Sequence, residues 1–215
     1  FEDKFCIKPL NVTSASIGNE INLFSLLQFV IFIALMCILV FKYPKYNITD
    51  IAVTMFGGYY VVILFSYMIF MERIEGGLYL IFIALLGSIA ADTFAYFSGM
   101  FFGNKKLAPE LSPKKTIAGS IGAFVGSIVV LIIFGLVVTK ADLYTAIPLY
   151  HYAILGVIIG GLAQIGDLCA SAMKRYTGIK DFGNLIPGHG GILDRCDSYL
   201  VVTPFVYYYF ALFII

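Results

Sequence analysis

Apolar residues in this chain come in long unbroken runs, neither alternating nor confined to one helical stripe. Six runs stand out, from Phe24 to Phe41, Ile51 to Phe70, Leu78 to Phe97, Ile117 to Val138, Leu149 to Ala172 and Ser198 to Ile215. A hydrocarbon core about 30 Å thick is crossed by about 20 apolar residues in a helix, with about 17–25 tolerated. Barrel strands are shorter and alternate, so the runs predict helices. The expected fold is all-α: a polytopic integral membrane helix bundle with about six transmembrane helices. Residues 24–215 would form a single transmembrane domain, and the mixed, polar stretch of residues 1–23 an N-terminal arm or the remnant of a longer region. Gly122 and Gly126, and again Gly156 and Gly160, form G-x-x-x-G pairs suited to close helix packing, and such faces would also permit a homodimer.

Composition agrees. Sixty percent of residues are apolar and 13% charged, against a soluble norm of about 45–50% and about 25%. Mean hydropathy is +0.94. A water-soluble globule and a disordered chain are excluded, and a net charge of +1 removes a basic nucleic-acid binder. Cys6, Cys37, Cys169 and Cys196 have no C-x-x-C spacing and read as ordinary small residues. The chain begins at Phe1 and not Met, which implies a fragment or a missing natural N-terminus, and it shows no signal-peptide pattern. Asn11-Val12-Thr13 and Asn47-Ile48-Thr49 match the glycosylation acceptor pattern, which is too short to weigh much. If all six runs cross, the loops after the first, third and fifth hold ten basic residues and the other side four, which places the long loops in the cytoplasm.

The charges are unevenly placed. Residues 92–115 and 164–198 make up 59 of 215 positions yet hold 14 of the 27 charged residues. Gln164, Asp167, Ser171 and Lys174 fall at steps of three, four and three, on one helical face. A carboxylate inside an apolar run costs about 2.5–3.5 kcal/mol on insertion scales, so Asp167 calls for a cavity and a partner. Asp92 closes another uncharged run, with Tyr96, Gly99 and Gly103 continuing its face. Ser112-Pro113-Lys114-Lys115-Thr116, read as a helix start, suits either a phosphate or anionic headgroups. In the segment 171–198, Gly188, Gly190 and Gly191 flank His189 and allow close approach of a ligand. Asp194 and Asp197 share a face if a helix begins near Leu193, and with Asp167 they make an all-oxygen site that suits Mg²⁺. Lys174, Arg175, Lys180 and Arg195 surround these acids, the mixture that metal-assisted phosphoryl chemistry requires. His189 reads as a loop histidine that bonds backbone or phosphate, in preference to a general base.

Together these residues resemble a known signature. Ser171-x-x-Lys174-Arg175, Lys180-Asp181 and Pro187-Gly188-His189-Gly190-Gly191-x-x-Asp194-Arg195-x-Asp197-Ser198 are similar to the phosphatidate cytidylyltransferase (CDP-diacylglycerol synthase) family. Asp92-Thr93-x-Ala95-Tyr96-x-x-Gly99-x-x-x-Gly103, Ser112-Pro113-x-Lys115-Thr116 and Gln164-x-Gly166-Asp167 extend the resemblance over Leu78 to Ile215. Ala118 departs from it, standing where many members carry an acid, and members are usually longer at the N-terminus.

The resemblance implies a membrane transferase that joins CTP to phosphatidate, giving CDP-diacylglycerol and pyrophosphate, with Mg²⁺ required and a second cation left open. By the same resemblance Asp167, Asp194 and Asp197 bind the metal. Lys174 and Arg175 join them as catalytic residues. Asp92, Ser112, Lys115, Thr116, Ser171, Lys180, His189, Gly190, Gly191 and Arg195 bind substrate. The implied partners are CTP, phosphatidate or a similar lipid phosphate such as an archaeal ether lipid, and membrane lipids, with no nucleic acid. The implied place is the cell or inner membrane, with the active-site loops cytoplasmic. A transporter with Asp92 and Asp167 along its pathway is the alternative from another class, though no convincing repeat accompanies it. A non-catalytic scaffold would leave many costly charges idle.

Overall fold

The structure is a computed structural model that describes residues 14–74, 76–140, 147–183 and 191–214. The predicted runs fall on helical backbone, the last of them passing the end of its helix at Phe213. Helix α1 covers Ser14–Phe41, starting well ahead of the predicted Phe24. The second run is α2 (Ile48–Gly58), a π-helical turn (Tyr59–Ile63) and α3 (Leu64–Glu72) in succession. Helices α4 (Gly77–Phe102), α5 (Ile117–Lys140), α6 (Leu149–Thr177) and α7 (Leu193–Phe213) follow. Among the described residues four helical stretches are long and apolar enough to cross a membrane: Ile48–Glu72, Gly77–Phe102, Ile117–Lys140 and Leu149–Thr177. The apolar part of α1, Leu26–Phe41, is shorter, and α7 carries Asp194, Arg195 and Asp197 near its start.

Asn47 starts α2 through a capping box. Its side chain accepts from the Asp50 N–H at 3.1 Å, and its own N–H donates to the Asp50 carboxylate at 2.9 Å. This gives the Asn47-Ile48-Thr49 triplet a structural role.

Helices α4 to α7 form the core, around Ile83, Leu131, Leu155, Ile159, Leu200 and Phe210, none more than 1% exposed. The glycine pairs set the helix spacing. A Cβ on Gly126 would lie 2.3 Å from the Phe94 ring of α4, and one on Gly156 2.5 Å from the Ile128 backbone of α5. Ser127 Oγ crosses the α5–α6 contact to the Gly156 carbonyl at 2.7 Å. Both pairs are filled within one chain, which removes the reason for expecting a dimer through them. Helix α1 touches α2 lightly, and most of its large apolar side chains from Leu26 to Phe41 are exposed, as suits a lipid-facing helix.

One element differs from expectation. Ser112–Thr116 is a strand, β2, paired antiparallel with β1 (Lys106–Ala108) in the register Lys106↔Thr116 and Ala108↔Ser112. It is not the first turn of a helix. Proline at position 113 disfavours a helical residue before it, and the Ile117 N–H goes back to the Lys105 carbonyl at 3.0 Å. Only Thr116 serves as a cap, its Oγ1 accepting from the Gly119 N–H at 3.1 Å.

Candidate active site

The acids and lysines gather at one end of the bundle, where the hairpin meets α4 and α6 and where α7 packs on both helices. Two glycine contacts bring them there. Gly99 and Gly103 leave room for buried Thr116, since a Cβ on either would come within 2.9 Å of its side chain. This seats the hairpin on the end of α4. A Cβ on Gly166 would lie 2.6 Å from the Asp197 carbonyl oxygen. The bare backbone at 166 therefore lets α7 approach α6 and sets Asp197 near Asp167.

Strand alternation splits the adjacent lysines. Lys114 is exposed, whereas Lys115 turns inward and reaches Asp167 Oδ2 at 2.7 Å and the Gln164 carbonyl at 3.3 Å. Gln164 donates to the Gly160 carbonyl at 2.7 Å, so the predicted polar face of α6 is present and engaged. Ser198 Oγ donates to Asp92 Oδ2 at 2.9 Å and lies 3.4 Å from Asp197 Oδ1, which takes the Ser198 N–H at 2.8 Å. Asp92, Asp167 and Asp197 thus stand within electrostatic reach of one another.

Asp194 makes a different set of contacts. Its Oδ1 takes Lys174 Nζ at 2.8 Å, and its Oδ2 takes the N–H groups of Phe182 and Gly191 at 2.8 and 3.0 Å. Burial opposes its charge, but the Lys174 ammonium and the two backbone donors outweigh burial and hold this carboxyl below its ordinary value. Among the described residues no cluster of three or more His, Cys, Asp or Glu side chains is tight enough to hold a metal by itself.

The remaining predicted residues lie on the hairpin, the end of α6, the segment after it and the start of α7. Arg175 is exposed at the end of α6, its Nε 3.4 Å from the Leu111 carbonyl of the hairpin turn. Lys180 and Arg195 are exposed, and Ser171 and Ser112 half-buried. Gly191 is buried, while His189 and Gly190 lie outside the described residues.

A family model described as Cytidylyltransferase family matches residues 7–213. The chain belongs to that family. It is 41% identical over 155 residues to a phosphatidate cytidylyltransferase of Bacillus subtilis, covering 72% of this chain and 56% of that protein. It is likewise 41% identical over 143 residues to one of Synechocystis, covering 66% and 46%. A phosphatidate cytidylyltransferase of Haemophilus influenzae is 40% identical over 134 residues, covering 62% and 46%. The chain spans about half the length of the curated relatives it matches.

Sequence reasoning missed one residue beside these acids. Tyr60 is buried on the π-helical turn and aims its hydroxyl at the Asp197 carbonyl, 3.4 Å away. It precedes the part of the chain that carries the motifs. A tyrosine in an apolar run gives no signal by itself, and the π turn that places it leaves none in the sequence.

Proposed function

We propose that this chain carries the site at which the cytidylyl group of CTP passes to phosphatidate, giving CDP-diacylglycerol and pyrophosphate. The observation that carries the reading is the convergence of Asp92, Asp167 and Asp197 with Lys115 where hairpin, α4, α6 and α7 meet. The relatives named phosphatidate cytidylyltransferase support it. A phosphate oxygen of phosphatidate attacks the α-phosphorus of CTP. A new P–O bond forms while the bond from the α-phosphorus to the bridging oxygen breaks, and pyrophosphate leaves. The attacking phosphate is already anionic near neutral pH, so no strong base is needed.

Both substrates are anions and repel each other. Lys115, paired with Asp167, would take a phosphate oxygen in its place, and exposed Arg175, Lys180 and Arg195 would offset the remaining negative charge. His189, Gly190 and Gly191 would add backbone and ring donors to the phosphates. Thr116 supports them from behind as the α5 cap. Asp167 and Asp197, with Asp92 beside them, are the residues that would hold Mg²⁺. The donors fit, because Mg²⁺ usually takes only one or two carboxylates and completes its shell with water and substrate phosphates. When bound, the ion neutralises phosphate oxygens and stabilises the leaving pyrophosphate. The loops that bear the site would face the cytoplasm, where CTP is dissolved, while phosphatidate enters from the bilayer.

The test is product analysis with the purified chain in nanodiscs, Mg²⁺, labelled CTP and a panel of lipid phosphates that includes an ether lipid. CDP-diacylglycerol formed in step with pyrophosphate is the expected result. No CDP-lipid from any acceptor would overturn the reading, and product from the ether lipid alone would reassign the acceptor.

A further inference from the structure

The two acids of Asp194-x-x-Asp197 lie on one turn of α7 but serve different neighbours. Asp197 turns to Ser198 and the acids of α4 and α6. Asp194 turns away to Lys174, Phe182 and Gly191. An ionised carboxylate has about four lone-pair sites, and three donors at 2.8–3.0 Å already occupy this one. The pair is well enclosed, with 13% of the Lys174 side chain and 7% of the Asp194 side chain exposed, whereas Asp167 keeps 35%.

The three donors come from separate places. Lys174 is on the last turns of α6, Phe182 precedes the glycine segment, and Gly191 closes it. The two ends of that segment abut, since a Cβ on Gly191 would sit 2.9 Å from the Gly183 nitrogen and 3.1 Å from its Cα. Lys174 Nζ also lies over the Phe182 ring, 5.3 Å from its centre. One carboxylate therefore ties the start of α7, both ends of the glycine segment and the end of α6 into a single knot.

We propose that Asp194 is a positioning residue, which with Lys174 fastens Phe182 and Gly191 to the end of α6 and so fixes both ends of the glycine segment against the acids. It does not hold the cation, and Lys174 is its counter-charge, not a phosphate ligand. The effect on turnover rests on the cytidylyl-transfer reading above; the fastening does not.

The experiment compares Asp194→Asn, Lys174→Met, Lys174→Arg, the Asp194→Asn/Lys174→Met double variant and Asp167→Asn, each as the full chain in nanodiscs. Mn²⁺ alone is titrated by the loss of its free electron-paramagnetic signal, and exchange of the Phe182 and Gly191 amides is followed by mass spectrometry. Asp194→Asn should leave Mn²⁺ affinity and the half-saturating Mg²⁺ concentration near wild type while turnover falls about ten- to a hundred-fold, the usual loss for a supporting partner. Asp167→Asn should weaken Mn²⁺ binding. The double variant should be no worse than the poorer single one, because both cut the same contact. Lys174→Arg should restore the amide protection and turnover that Lys174→Met loses, which a merely space-filling lysine would not require. A loss of Mn²⁺ affinity in Asp194→Asn as large as in Asp167→Asn would overturn the proposal, as would unchanged exchange at Phe182 and Gly191. If the wild-type chain made no CDP-lipid, the activity reading would fail while the Mn²⁺ and exchange results still decided the role of Asp194.

Discussion

Lys115 holds the sole ammonium seen on Asp167 among the described residues, and its Nζ also rests on the α6 backbone. Lys115→Ala should lower CDP-lipid formation about a hundred-fold, the scale for losing one preorganised charge partner of a transition state. Steady-state rates against CTP concentration check it. Asp194 contributes in a pH-dependent way. Its folded carboxyl titrates below the ordinary 3.8, so its stabilisation is full above that value and is lost as pH falls through the lower folded one. The difference in thermal midpoint between wild type and Asp194→Asn should hold steady from about pH 7 to 5 and narrow below about pH 4. The acids themselves were legible in the sequence, because a carboxylate in an apolar run is costly enough to need a reason. Their partners were not. Spacing puts Asp194 and Asp197 on one face, but which of them meets Lys174 and which Ser198 depends on how the segment before α7 returns to α6.

At the scale of elements, helices were readable because a bilayer demands continuous apolar runs, and the predicted runs fall on helical backbone. The hairpin was hidden. Its strands are three and five residues long, rich in lysine, and stabilised by each other and by the α4 end, so neither hydropathy nor periodicity marks them. The G-x-x-x-G pairs mark packing sites in the sequence, and the structure adds what each glycine admits. Gly166 is where packing and chemistry meet. Gly166→Ala should cost about 1–3 kcal/mol, the usual penalty for overpacking, because the new methyl meets the Asp197 backbone and not a movable side chain. It should also weaken Mn²⁺ binding by moving Asp197 from Asp167. Gly161→Ala, whose Cβ would meet the Phe124 ring at an ordinary 3.4 Å, should do neither. Thermal unfolding in detergent and Mn²⁺ titration distinguish the two.

In the molecule as a whole, the hairpin, the end of α6 and the start of α7 lie at one end of the bundle, while His151 and Tyr209 bond at 2.7 Å between the start of α6 and the end of α7. That polarity makes sidedness testable. A cysteine at exposed Glu110 or Lys180 should react with an impermeant maleimide in opened membranes and not in intact cells, and the reverse would turn the bundle over. The family relationship sets aside a transporter as the alternative from another class. The two ion pairs, Lys115 with Asp167 and Lys174 with Asp194, also bear on how the chain is made. Synthesis runs from the N-terminus, so in each pair the lysine emerges before the aspartate that it neutralises. The acid of α6 meets its counter-charge on arrival and need not enter the bilayer as a bare anion. Lys115→Ala should therefore reduce the membrane-inserted yield of newly made chain more than Lys114→Ala, as carbonate extraction after pulse labelling would reveal. The order of residues along the chain would then serve biogenesis before it serves catalysis.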